Sequence, residues 1–238
     1  MNENKLVDII IPTLKRIHAF KALQSLKYVK WPYKIHLVSE GFTWAEAINI
    51  GLSECGENDI ILMDDDVILN ENTFDLVDFM YDKADIFGFK LLFPSGYIQH
   101  AGSYFKDGIV YHFGHSDRDE GQFEKPRYVC HATTSLIYIK NNVIKELKGM
   151  DANIPGVQYE DVDFSFRALK RGMKILYLPS PAVHMESATK KDSVMGFNEK
   201  QNIALAYVSN KHLRNKDFVS LLESYPKDVE EELVGSNN

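Results

Sequence analysis

Short apolar runs alternate with amphipathic segments through the first ninety or so residues. Residues 7–11, interrupted by Asp8 and closed by Pro12, have the pattern of a buried strand. Phe20, Leu23 and Leu26 follow at helical spacing. Residues 33–38 give a second strand, with Ile35, Leu37 and Val38 apolar. Trp44, Ala47, Ile48 and Leu52 predict a helix that ends near Gly56. Residues 59–63 give a third strand, Phe74, Leu76, Val77 and Met80 another helix, and residues 86–89 another strand. This alternation predicts an α/β protein with a parallel sheet covered by helices on both faces.

The pattern changes over residues 94–126, where glycines, aromatics and turn residues crowd together without helical period. Short strands and loops are expected there. A strand pattern returns at 129–139, with a helix at 141–147 and a loop from Gly156. Val162, Phe166 and Leu169 share one helical face, and Gly172 is placed to stop that helix. Residues 174–178 read as a strand closed by Pro179, followed by a helix over about 199–208. The tail beyond Asn210 is charged, with one amphipathic patch at 218–222. No repeat or low-complexity linker divides the chain, so its 238 residues predict one large domain with a small appendage.

A net charge of -7 argues against a general nucleic-acid binder, and no nucleic-acid partner is expected. The two cysteines, Cys55 and Cys130, lie far apart and read as free thiols of a reducing compartment. The first residues do not have the pattern of a signal peptide. No segment reaches the roughly 20 apolar residues of a membrane span. A cytoplasmic location is therefore expected, with peripheral membrane contact left open.

Three places carry chemistry. In Ile60-Ile61-Leu62-Met63-Asp64-Asp65-Asp66-Val67 an apolar strand runs into three carboxylates. Packed like charges repel, and a hard divalent ion would compensate them; the plainer alternative is a solvated acidic turn. Ligands of an open parallel sheet bind outside the carboxyl ends of its strands, which is where this run falls. In Tyr159-Glu160-Asp161-Val162-Asp163-Phe164, acids open a helix, where the helix dipole alone would favour them. The chemical reading is a carboxylate that takes a proton from an attacking hydroxyl. His184 follows the last strand near the same edge, and imidazole is a further ligand for Mn²⁺ and similar ions. His112 and His115 flank Phe113-Gly114 without neighbouring acids, and no metal is expected there. Tyr97, Tyr104, Phe105 and Tyr111 are expected to pack rather than stack on a sugar.

Taken in order, these segments resemble the GT-A glycosyltransferases, in particular glycosyltransferase family 2. Val7-Asp8-Ile9-Ile10-Ile11-Pro12-Thr13 resembles the opening strand, and residues 45–51, with Asn49 and Gly51, the family's Ala-x-Asn-x-Gly helix. Asp64-Asp65-Asp66 is similar to its Asp-x-Asp motif. Residues 96–102 resemble a segment of its rhamnosyltransferase-like and O-antigen branches. Gly149-Met150-Asp151, the acidic block at 159–164, Arg167, Gly172, Pro179 and His184 resemble the family's later motifs in their order. The likeness runs from about residue 7 to about residue 187.

The resemblance implies a Rossmann-like, mostly parallel GT-A sheet with a small additional β region. It implies a catalytic domain over residues 1–210, whose nucleotide half ends near 93 and whose acceptor half runs from 94, and a helical tail over 211–238. The implied activity is inverting transfer of a hexosyl or deoxyhexosyl group from a UDP-, dTDP- or GDP-linked sugar to a glycan or glycolipid hydroxyl, with Mn²⁺ or Mg²⁺. Asp66, with Asp64 and His184, would hold the ion; Asp64 is alternatively a ribose contact. Asp161 would be the general base with Glu160 beside it. Pro12, Thr13, Arg16, Glu40, Asn49 and Asp65 would line the donor site, and His100 and His131 the acceptor side. The sequence departs from the family at Val38-Ser39-Glu40-Gly41, where the base-contacting acid is either Glu40, shifted by one, or missing. Asn153 also stands where an acid is usual. A nucleotidyltransferase would need a glycine-rich loop after the first strand, and residues 12–16 contain no glycine. A non-catalytic sugar- or partner-binding module is disfavoured by the intact Asp66, Asp161 and His184.

Overall fold

The computed structural model describes residues 5–14, 17, 19–41, 43–156, 158–185 and 194–229. The first part of the chain contains β1 (Val7–Pro12), α1 (Phe20–Ser25), β2 (Tyr33–Val38), α2 (Trp44–Glu54), β3 (Asp59–Met63), β4 (Val67–Ile68), α3 (Val77–Met80) and β5 (Ile86–Leu92). Then come β6 (Ile98–His100), β7 (Ser103–Lys106), β8 (Ile109–His112), β9 (Arg127–Tyr128), β10 (Leu136–Ile139) and α4 (Asn141–Leu147). The chain continues with α5 (Glu160–Leu169), β11 (Ile175–His184), α6 (Val194–His212), α7 (Lys216–Glu223) and β12 (Lys227–Asp228).

One sheet runs in the order β12-β9-β11-β5-β10-β3-β1-β2, with β4 on β11 and β6 on β5. β1 is parallel to β2 and β3, and β5 is parallel to β11; β10 enters antiparallel between β3 and β5. β7 and β8 form a separate hairpin, the small additional β region.

The runs in β1 and β3 are continuously apolar because both faces of the sheet are covered. Successive side chains alternate between the faces. Ile10, Ile60 and Leu62 join α2, α4, α5 and α7 in one core, while Ile9, Ile11, Ile61 and Met63 join Ala22, Trp31, Phe74 and Val77 in the other. Each such fully buried aliphatic side chain contributes about 1.5–3 kcal/mol.

The entry to α2 is set by a capping box: Glu46 N donates to Thr43 Oγ1 and Thr43 N donates to the Glu46 carboxylate. Further along, α2 lies so close to β1 that a Cβ on Gly51 would sit 2.6 Å from Ile10 Cγ2.

The structure corrects four local expectations. The helix expected from Phe74 is only the single turn of α3, although Phe74 still packs in the core. Residues 129–135 are not strand; only Leu136–Ile139 is. β11 does not stop at Pro179 but runs on to His184, with its register on β5 shifting between Leu178 and Pro181. Proline has no N–H to give a ladder, and the irregularity absorbs that loss. The helix expected at 199–208 extends over Val194–His212.

Beyond it, α7 buries Phe218 and Leu222, and β12 pairs with β9. No described helix is long and apolar enough to cross a membrane.

Candidate active site

β3 ends at Met63, and the three aspartates leave its carboxyl end. The chain then makes β4, which pairs antiparallel with the end of β11 and sets His184 opposite Val67. The Asp66 O···Met185 N hydrogen bond of 3.0 Å holds the two segments together just beyond that pair. His184 Nε2 consequently lies 3.0 Å from Asp66 Oδ1 and 3.8 Å from Asp64 Oδ2.

His184 Nδ1 donates to Gln99 Oε1 on β6 at 2.5 Å. An amide oxygen only accepts, so the Nδ1 proton is held there, and Nε2, turned to the carboxylates, is the nitrogen that can give up its proton to bind an ion. Trp44 Nε1 donates to Asp64 Oδ1 at 3.3 Å. Burial pushes the Asp64 carboxyl above its ordinary range, against the pull of His184.

One ligand atom from each of Asp64, Asp66 and His184 lies within 4.8 Å of the other two. Two carboxylates and an imidazole form a donor set suited to Mn²⁺, and through its oxygens to Mg²⁺.

Asp65 points elsewhere: Thr13 Oγ1 donates to its Oδ2 at 2.5 Å, tying the acidic run to the end of β1. Pro12 is buried beside Val38 of β2, and Thr13 N donates to Val38 O at 2.8 Å. Glu40 is exposed just past that edge and accepts from Ser39 N. Arg16 lies outside the described residues.

The acidic block opens α5 from Tyr159, whose φ of 69° is left-handed. Asp161 Oδ1 accepts from Val162 N at 2.8 Å, and Oδ2 faces His131 Nε2 at 3.2 Å. Burial raises the Asp161 carboxyl, but His131, then His112 and the Val162 amide, outweigh it and hold it below its usual range. Glu160 goes the other way, raised by burial and by the neighbouring Asp161 charge. One acid of the pair is therefore kept ionised while the other resists ionisation.

Three residues expected to contact donor or acceptor have protein partners here. Asn49 uses both its polar atoms on one backbone residue: Nδ2 donates to Met150 O at 2.9 Å, and Oδ1 accepts from Met150 N at 2.8 Å. It clamps α2 to the segment after α4. Gly149 fits this clamp, since a Cβ there would meet Asn49 Oδ1 at 2.4 Å. His100 and His131 are each 1% exposed and present no surface to an acceptor. His100 Nδ1 pairs with His112 Nδ1 at 2.9 Å, and His131 Nδ1 with Ser103 Oγ at 3.0 Å.

Gln99, Trp44, Ser103 and His112 were not visible as site residues in the sequence. Gln99 and His184 are 85 positions apart, and no local spacing marks them.

Residues 60–198 match the profile of the family described as Glycosyl transferase family group 2. No curated protein matches the sequence at a significant level. Among solved structures, the chain is similar to the mannosyltransferase PcManGT from Pyrobaculum calidifontis, in complex with GDP-Man and Mn²⁺. That match has a TM-score of 0.58 and 13% identity, covering 88% of this chain and 64% of that one. It is also similar to the catalytic domain of Drosophila β1,4-galactosyltransferase 7, in complex with xylobiose, with a TM-score of 0.52, 14% identity and coverage of 83% and 79%. A third is residues 1–349 of S. aureus TarS, with a TM-score of 0.54, 13% identity and coverage of 86% and 65%. The chain thus spans just under two thirds of the mannosyltransferase and of that TarS fragment. At such identities the likeness is one of fold.

Proposed function

The chain belongs to glycosyl transferase family group 2 and has the GT-A fold, and from that premise we propose an inverting, divalent-metal-dependent sugar transfer. The donor is a UDP-, dTDP- or GDP-linked sugar, and the acceptor is a hydroxyl of a glycan or glycolipid. The observation that carries this reading is the convergence of Asp64, Asp66 and His184 at the carboxyl end of β3. The complexes of similar structures add support, since the mannosyltransferase holds GDP-Man with Mn²⁺ and the galactosyltransferase holds xylobiose. The segment at 96–102 favours the rhamnosyltransferase-like branch.

Asp66, Asp64 and His184 would hold the ion, with Gln99 orienting the imidazole. When bound, Mn²⁺ or Mg²⁺ supplies Lewis-acid neutralisation of the departing nucleoside diphosphate. Thr13 and Asp65, joined by their hydrogen bond, border the nucleotide side with Pro12 and Glu40. Asp161 takes the proton of the acceptor hydroxyl as its oxygen bonds to the anomeric carbon. The bond from that carbon to the diphosphate oxygen breaks, and its electron pair leaves with the diphosphate. One displacement on the face opposite the leaving group inverts the anomeric centre. Glu160, whose carboxyl resists ionisation, contacts acceptor hydroxyls beside the base.

The test is Asp161→Asn. The variant retains metal-dependent binding of a nucleotide sugar by calorimetry and loses transfer by at least about 100-fold, the lower end of what a positioned base supplies. A variant that keeps most of its turnover refutes the assignment.

A further inference from the structure

Asp161 is backed by a histidine that no surface ligand reaches. His131 sits in the irregular segment before β10, and that segment is held to α5 by Ala132 N donating to Ser165 Oγ at 3.4 Å. Its Nδ1 is 3.0 Å from Ser103 Oγ, at the start of the β7–β8 hairpin. Its Nε2 is buried, lies 3.2 Å from Asp161 Oδ2, and makes no well-formed hydrogen bond among the described residues. The rings of His112 and His100 stand behind it, with centroids 5.7 and 6.2 Å away.

We propose that His131 is the positioning residue of the general base, its Nε2–H turning the Asp161 carboxylate so that one oxygen faces the acceptor hydroxyl. The proposal rests on the reading of Asp161 as that base.

The tautomer follows from the partners. The Ser103 hydroxyl can donate or accept, so in a neutral imidazole it is the accept-only Asp161 carboxylate that selects the proton on Nε2, and Ser103 then donates to Nδ1. If it is charged, both nitrogens carry protons and Nδ1 donates to Ser103 Oγ. In either state an N–H points at Asp161. A buried N–H without a partner is costly, and the carboxylate is the polar group within reach. Bonds of this kind are often poorly aligned in a ligand-free enzyme and tighten when substrate binds.

The charge balance agrees with this placement. The titratable groups facing the pair are His112 from β8, His100 from β6, and Tyr159 and Glu160 at the start of α5. His100 is held well below its ordinary value by burial, and then by its histidine neighbours, so it is neutral. Burial pushes the Asp161 carboxyl up, and His131 is the largest influence opposing it. Without His131 the carboxyl pKa rises. Asp161 must be ionised to act as base, so the acid limb of the rate profile moves to higher pH.

The experiment compares His131→Leu, His131→Gln and Asp161→Asn in the full chain with Mn²⁺. The probes are UDP-glucose, GDP-mannose and dTDP-rhamnose, and the readout is release of nucleoside diphosphate across pH. His131→Leu is expected to lower kcat about tenfold, a part of the roughly 10²–10⁴ a general base supplies, with donor KM unchanged and the acid limb raised. His131→Gln, whose amide N–H points the same way, is expected to recover most of the loss. Wild-type kcat and acid limb in His131→Leu, beside an inactive Asp161→Asn, overturn the role of His131 and leave the base intact. Turnover in Asp161→Asn overturns the base reading, and the proposal with it. If His131→Leu does not fold, Ser103→Ala carries the test: the same shifts at smaller size support the proposal, and an unmoved acid limb refutes it.

Discussion

Asp163→Asn should loosen the helix that carries Asp161, and the structure gives the size of the effect. The Asp163 side chain is fully buried, and three donors converge on it. Arg167 Nε reaches Oδ2 at 2.7 Å, and Lys211 Nζ and His212 Nε2 reach Oδ1, each at 2.7 Å. Burial raises the carboxyl, but His212, Lys211 and Arg167 together drive it far below the usual carboxylate range. His212 is itself lowered by burial, so it donates as a neutral imidazole, and its Nδ1 has no partner among the described residues. The compensating charges are therefore Arg167 and Lys211.

An asparagine offers one acceptor oxygen to these donors and turns an N–H toward the rest. Losing one partner of a buried ion pair costs about 3–5 kcal/mol. The low end applies here, because Arg167 keeps Leu147 O and Gly149 O and Lys211 keeps Asp151. About 3 kcal/mol lowers Tm by roughly 6–12 °C in a chain of this size. The folded-state pKa is depressed, so this stability is present above the unfolded value of about 3.9 and is lost as pH falls toward the folded value. Urea unfolding at pH 7 and at about pH 3.5 should show the gap between wild type and variant narrowing in acid. A gap below about 1 kcal/mol at pH 7, or one that does not change with pH, refutes the argument.

Asp66→Asn should weaken Mn²⁺ binding at least about tenfold by calorimetric titration, since it removes a charged ligand and leaves Asp64 and His184; equal affinity would end its role as ligand. Gln99→Leu frees the His184 ring and should weaken Mn²⁺ about 10–100-fold with the three ligands intact, so unchanged affinity would show that the tautomer is fixed otherwise. Asn49→Ala breaks both hydrogen bonds to Met150 and should cost about 1–3 kcal/mol in urea unfolding while donor affinity stays the same. A loss of donor affinity at unchanged stability would return Asn49 to the donor site.

Several motifs that look chemical in the sequence hold the frame. Asn49 and Gly149 form one clamp and Gly51 a close helix–strand contact, while Asp163 and Arg167 join α5 to the end of α4 and to α6. Their spacing reads the same whether they bind a ligand or each other.

β1, β3, α4 and the apolar face of α5 were legible because hydrophobic period is a local property, set by how a strand or helix presents successive side chains. The order of Asp64, Asp66, Asp161 and His184 along the chain was legible too. What they touch was not. Whether β10 runs with its neighbours or against them, and whether β11 passes two prolines to bring His184 opposite Val67, depends on packing across the whole sheet. The same holds for Gln99 reaching His184 and for His131, read from sequence as an acceptor contact, closing behind Asp161. Local pattern was enough to say which segments are buried and which acids end at a strand or open a helix. Register and long-range partners came with the assembled fold, because each such contact is chosen by the energy of the packed cores and not by its own neighbours in the chain.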